Sequence, residues 1–129
     1  MTALAKNAPR TAPTHGRRFR DPVAAATRIF AGAMVALNAA GNAIPAIPTA
    51  TRMRGVALAE ADNSAGAIGA ASVEIERGPF LVANNGTVNR THIGGNVFVL
   101  DDNTVAATGT LVAGKCLDVM PEGVVVEIL

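Results

Sequence analysis

The chain lacks several of the residues on which proteins of its size usually depend. Its 129 residues include no Trp, no Tyr, only four Phe and a single cysteine, while half of the residues are hydrophobic. The core must therefore be built mainly from Ala, Val, Leu and Ile, which bury little area each. Such a body gains stability by burial against a partner, and this favours a subunit of an assembly over a monomeric enzyme.

The shortage of cysteine and histidine limits the available chemistry. Cys116 has no partner for an internal disulfide, and its spacing from His15 and His92 fits no zinc pattern. No run of about 18 uncharged apolar residues is present, so we expect no membrane span. We predict no metal site, no cofactor and no small-molecule substrate.

Charge is unevenly placed although the net charge is only +1. Residues 1–22 carry +4 and contain Pro9, Pro13 and Pro22, whereas the remainder carries −3. We predict an extended basic N-terminal arm over residues 1–22 and a single β-rich domain over residues 23–129. A twin-arginine export signal is the alternative reading of Arg17-Arg18, but Arg28 interrupts the apolar stretch that such a signal needs.

Short apolar runs beyond residue 22 alternate with Gly, Asn, Asp and Pro, which predicts an all-β body of sandwich or barrel type. We expect a strand over residues 29–37 bent at Gly32, an edge segment over 43–47, and strands over 54–60 and 73–76. Residues 62–69 read as a mobile loop and residues 97–100 as a strand buried on both faces. A hairpin over 115–128 closes the chain, and residues 24–26 have only weak helical character.

Three motifs suggest chemistry but have simpler structural explanations. Residues 109–116 (GTLVAGKC) match phosphate-loop spacing, but a strand rather than a helix follows the lysine. Asp101-Asp102 reads as a turn, since adjacent strand residues point to opposite faces. Cys116 reads as a buried strand residue rather than a reactive thiol.

Several segments, in this order, resemble the head decoration (capsid cement) proteins of tailed bacteriophages and Mu-like prophages. They are residues 28–41 (RIFAGAMVALNAAG), 55–57 (GVA), 62–66 (DNSAG), 73–80 (VEIERGPF), 99–106 (VLDDNTVA), 113–114 (AG) and 123–128 (GVVVEI). The resemblance implies a non-enzymatic virion protein with a compact β fold. Such a protein trimerises on the outside of the expanded head and clamps neighbouring major capsid subunits.

The arm supplies the residues that we expect to contact a neighbouring subunit. Ordering about twenty residues costs roughly 1–2 kcal/mol each, which five exposed ion pairs cannot offset. We therefore expect the arm to lie along a capsid or decoration subunit through Lys6, Arg10, Arg17, Arg18, Phe19 and Arg20. The alternative is a nucleic-acid-binding module, although the arm offers only Phe19 for base stacking. A small hydrolase is a third reading, for which the sequence supplies no convergent site.

Overall fold

The computed structural model describes residues 3–12 and 15–129, and its secondary structure is almost entirely β. Its described part contains one 3-10 turn, Arg90–His92. The strands are β1 Arg18–Pro22, β2 Thr27–Ile29, β3 Met34–Leu37, β4 Ala43–Pro45, β5 Arg52–Ala57, β6 Ala61–Asn63, β7 Ser72–Glu76, β8 Gly78–Asn84, β9 Asn96–Val99, β10 Thr104–Ala106, β11 Val112–Met120 and β12 Gly123–Ile128.

These strands form two open sheets and one closed barrel. A five-stranded sheet has the order β1-β7-β5-β3-β4, a closed barrel has the order β10-β8-β12-β11-β9, and β2 pairs with β6 in a small separate sheet. All named strand pairs are antiparallel except β8 with β10. The all-β fold expected from the sequence is therefore confirmed, and the barrel part of the architecture is a closed one.

Two hydrophobic cores lie on the two faces of the five-stranded sheet. Met34 and Ala36 of β3 face the barrel, while Val35 between them faces the β2–β6 side. This follows from the alternation of side chains along a strand. Because both faces of β3 are covered, Met34, Val35 and Ala36 are all buried.

Several of the predicted strands are present with shifted bounds. In β7, Val73 and Ile75 are buried while Ser72 and Glu74 are exposed, as their alternation predicts. The closing hairpin is β11 with β12, and β11 begins three residues earlier than expected. The Ala43–Pro45 segment is an edge strand of the large sheet, consistent with its proline content.

Four expectations from the sequence are corrected by the structure. Residues 29–37 form two strands separated by a turn at Gly32, whose φ is +84°, and Phe30 is consequently 57% exposed. The alanine stretch 24–26 is a turn, with Ala26 at φ +53°. Of residues 97–100, only Val97 and Val99 are buried, because Phe98 is partly exposed and Leu100, beyond the end of β9, is 46% exposed. Within the presumed loop 62–69, Asn63 is buried and belongs to β6.

The boundary of the arm also differs from the prediction. Residues 18–22 are not part of an extended arm, because they form β1 and pair antiparallel with β7 of the same chain. The pairing extends to both sides, since the Arg77 amide donates to the Arg17 carbonyl and the Val23 amide to the Ala71 carbonyl. Of the predicted arm, residues 3–12 are exposed throughout.

Within the described residues, no helical segment has the length and apolar character needed to cross a membrane.

Candidate interaction surfaces

The arm residues singled out from the sequence fall into two groups. Lys6 and Arg10 lie in the exposed segment 3–12 and form no salt bridge with any described residue. Arg17, Arg18 and Arg20 instead lie beside glutamates of their own chain. Arg17 Nη2 and Arg18 Nε are 3.8 and 3.6 Å from Glu76 Oε1, and Arg20 Nη1 is 3.3 Å from Glu74 Oε1.

Phe19 is also engaged within the chain. The Arg54 guanidinium carbon lies 3.9 Å from the centre of the Phe19 ring, in a cation–π contact. Arg54 Nε donates to Asp21 Oδ2 at 2.7 Å and its Nη2 to Oδ1 at 3.1 Å, so one guanidinium holds two side chains of β1. These contacts attach β1 to β7 and β5. Contact of the same residues with a neighbouring subunit stays a prediction, since Arg17, Arg18 and Arg20 are 64%, 72% and 67% exposed.

This attachment gives a direct test on stability. We expect Asp21→Asn to cost roughly 1.5–3 kcal/mol in free energy of unfolding, since it removes the charge from a two-point hydrogen bond whose groups are only 13% and 27% exposed. Hydrogen exchange of the β1 amides should accelerate more than exchange in the barrel. Glu74→Gln is the matched control, because its partner Arg20 is 67% exposed and such pairs contribute little. Equal effects of the two variants would contradict the proposed attachment.

The outer surface of the barrel carries a band of exposed apolar side chains. Leu81 of β8 lies opposite Val125 of β12, and the β-bulge in β11 places Leu117 and Asp118 together opposite Val125. Met120 pairs with Gly123 at the end of the hairpin. Leu81, Leu117 and Met120 are 52%, 41% and 41% exposed. We call Leu81, Leu117, Met120 and Val125 the barrel band.

The barrel band arises from strand alternation combined with barrel closure. The inward residues of the same strands, Val82, Val124 and Val126, fill the barrel, so their neighbours must face outward. Large aliphatic side chains at outward positions that do not face the five-stranded sheet have no second layer to cover them. In the sequence, the barrel band is visible only as the unbroken apolar run of residues 123–126. That run indicates burial but does not show which face of the strand is exposed to solvent.

None of the motifs tested for catalysis forms an active site. Lys115 lies inside β11 rather than at the start of a helix, so residues 109–116 cannot present backbone amides to a phosphate. Asp101 accepts a hydrogen bond from the Asn103 amide at 2.8 Å and shapes the turn after β9. His92 Nδ1 accepts one from the Asn89 amide at 2.9 Å and caps the 3-10 turn. No group of three metal-binding side chains occurs among residues 3–12 and 15–129.

Cys116 is a core residue of the barrel, as the sequence indicated. It is 1% exposed and packs in the cluster between barrel and sheet. Burial, followed by the negative charge of Asp118, raises the pKa of the thiol above its usual value. A thiol held neutral and inaccessible is a poor nucleophile.

Substitution and pH should both report this burial. We expect Cys116→Ser to cost roughly 1–3 kcal/mol, because a hydroxyl replaces a thiol that acts as a small hydrophobe. Because the folded-state pKa is raised, wild-type stability should fall as pH rises through and above the usual thiol pKa of about 8.5. Unfolding curves between neutral and alkaline pH test this, with Cys116→Ala as the control that lacks the dependence. Rapid labelling of the native thiol at neutral pH would contradict it.

Comparison of the chain with models of protein families, with curated proteins and with solved structures gives no match.

Proposed function

We propose that this protein is a capsid decoration protein, which binds the outer surface of a tailed-phage head and cements neighbouring major capsid subunits. The observation that carries the proposal is the barrel band: three large aliphatic side chains exposed on a closed barrel. A contiguous apolar surface on a soluble domain is typical of a protein interaction site. The order of the sequence segments described above supports the particular class of partner.

The exposed segment 3–12, which is shorter than the predicted arm, supports the same proposal. Residues 3–12 contain Leu4, Lys6 and Arg10, all exposed, and precede a body whose first strand is tied down by Arg54. A segment of this kind can reach beyond the body and add a second point of attachment. Two attachments at a fixed lattice spacing raise the effective concentration of each, so modest contacts suffice. The proposed partners are the major capsid protein and further copies of this chain, arranged as trimers on the virion exterior, without catalysis.

Nucleic-acid binding through the arm receives less support. Glu74, Glu76 and Asp21 lie against the arginines and the aromatic-bearing strand that the alternative would use. Lys6 and Arg10 then remain as the cations of the exposed segment, and few phosphate contacts give weak binding at physiological salt.

Binding to expanded phage heads that lack a decoration protein tests the proposal. We expect wild-type protein to saturate the heads at regular positions visible by electron microscopy and to raise their resistance to heat. Leu81→Ser with Leu117→Ser should reduce occupancy at least tenfold, since each removes roughly 1 kcal/mol or more of apolar burial. Truncation of residues 1–15, which leaves β1 intact, should also reduce occupancy.

Leu58→Ser is the matched control, because Leu58 is 37% exposed and lies outside the barrel band. Unchanged occupancy in the Leu81/Leu117 variant, or binding to short DNA in place of heads, would overturn the proposal.

A further inference from the structure

Cations without a carboxylate partner gather at one end of the body. Among the arginines and lysine of residues 15–129, six arginines form salt bridges: Arg17, Arg18, Arg20, Arg28, Arg54 and Arg90. The three that form none with described residues are Arg52, Arg77 and Lys115, and all three line grooves beside the end of β12. Glu127 lines both grooves as well, so three cations face one carboxylate side chain and a positive excess remains at that end.

The larger of these grooves, of about 560 Å³, runs between the start of β5 and the start of β11. Arg52 and Lys115 line it together with two exposed apolar side chains, Val112 at 39% and Leu129 at 70%. Glu127 lies opposite Lys115 in the strand register, but the two form no salt bridge. The groove therefore combines two cations and one carboxylate with an apolar lining.

The opposite end of the barrel carries acidic side chains together with exposed apolar ones. The turn of residues 100–103 carries Asp101 and Asp102, neither of which forms a salt bridge with a described residue. Leu100 is 46% exposed in the same turn, and Phe30, 57% exposed, lies beside Asp102 across a shallow depression. The turn is anchored by the Met34 and Ala83 amides, which donate to the Asp102 and Asn103 carbonyls at 2.7 and 2.9 Å.

The strand register places Lys115 and the acidic turn at opposite ends of the barrel, while the Val112 side of the groove lies nearer the turn because Val112 pairs with Phe98. Lys115 pairs with Glu127 near the end of β12, whereas Ala83, which holds the acidic turn, lies at the level of Gly123 where β12 begins. The four residues from Gly123 to Glu127 separate them by roughly 13 Å at about 3.3 Å per residue. The acidic turn therefore does not meet Lys115 of its own chain.

We propose that the acidic turn of one copy, residues 100–103, seats in the Arg52–Lys115 groove of a second copy. The contact is heterologous, so it closes into a ring when the rotation between copies permits. Opposite charges orient the two copies, while Leu100 and Phe30 meet the apolar groove lining and supply the burial that exposed ion pairs alone do not. The contact specifies how copies of this chain associate on the phage head, and to that extent it rests on the proposed function.

Zero-length carbodiimide cross-linking tests the contact, because it joins an amine to a carboxylate only when the two touch. A mixture of unlabelled and nitrogen-15-labelled protein should yield mixed-isotope peptides that join Lys115 to Asp101 or Asp102. Sedimentation over a concentration series at low salt should show reversible self-association, which weakens as salt screens the charges.

Charge exchange makes the test specific. Lys115→Glu and Asp102→Lys should each reduce self-association at least fivefold, and the chain carrying both should recover it because the charges again match. Lys6→Glu is the control, since it makes the same charge change as Lys115→Glu in the exposed arm. A monomer at every concentration, or equal weakening in the doubly exchanged chain, would overturn the proposal. If such a monomer binds heads, the decoration function stands and only the contact between copies is overturned. If the protein self-associates but does not bind heads, the contact stands and the decoration function is overturned.

Discussion

Gly123→Ala is expected to destabilise the protein by about 2–5 kcal/mol, a large fraction of the stability of a domain this size. Gly123 begins β12 with φ at +154°, where an L side chain is strained. A Cβ at this position would overlap the Val82 carbonyl oxygen of the neighbouring strand, and backbone cannot move aside as a flexible side chain can. The substitution therefore opposes the pairing of β12 with β8 on which barrel closure depends.

Gly94→Ala separates the cost of backbone strain from the cost of steric overlap. Gly94 also has a positive φ, +88°, but nothing lies within 4 Å of its Cβ position, so only conformational strain of about 1–2 kcal/mol applies. Denaturant unfolding of both variants gives the comparison. Equal losses at the two positions would show that the close approach of β8 to β12 is unimportant for stability.

Asn63→Leu is expected to cost roughly 3 kcal/mol, although it replaces a side chain with one of similar size. Asn63 is 3% exposed, and its amide nitrogen donates to the carbonyls of Val23, Ala24 and Ala67 at 3.3, 3.0 and 2.9 Å. Leucine leaves these acceptors buried without this donor, and each unsatisfied group costs about 1–3 kcal/mol. The segments after β1 and after β6 should loosen together.

Asn85→Ala is the control for the loss of an asparagine. Asn85 shapes an exposed turn through the Thr87 amide and hydroxyl, at 3.0 and 2.5 Å, where water can replace the lost contacts. Its cost should stay below about 1 kcal/mol. Thermal unfolding with hydrogen exchange resolves the difference, and a stable Asn63→Leu variant would contradict a central role for this side chain.

The N-terminal region shows where sequence reasoning about the extent of the arm was wrong. Proline and arginine content predicted an extended arm through residue 22, yet residues 18–22 form an edge strand. Alternation was present in Arg18-Phe19-Arg20-Asp21, but its outward residues are charged and only Phe19 is apolar, so it did not resemble a half-buried strand. The strand is held by its backbone pairing with β7 and by Arg54, which lies 33 positions from its partner Asp21.

The fold class and many of the local elements could be predicted from the residues alone. Its alternating Val73–Glu76 segment, its closing hairpin and its Asn- and Gly-rich turns predicted an all-β body, because strand alternation and turn chemistry are encoded by neighbouring residues. A buried Cys116 followed from its apolar strand context. Which apolar faces remain open and which charges have partners could be learned only from the fold. Both depend on strand order and barrel closure, which bring together residues such as Arg52 and Lys115 that no local pattern connects.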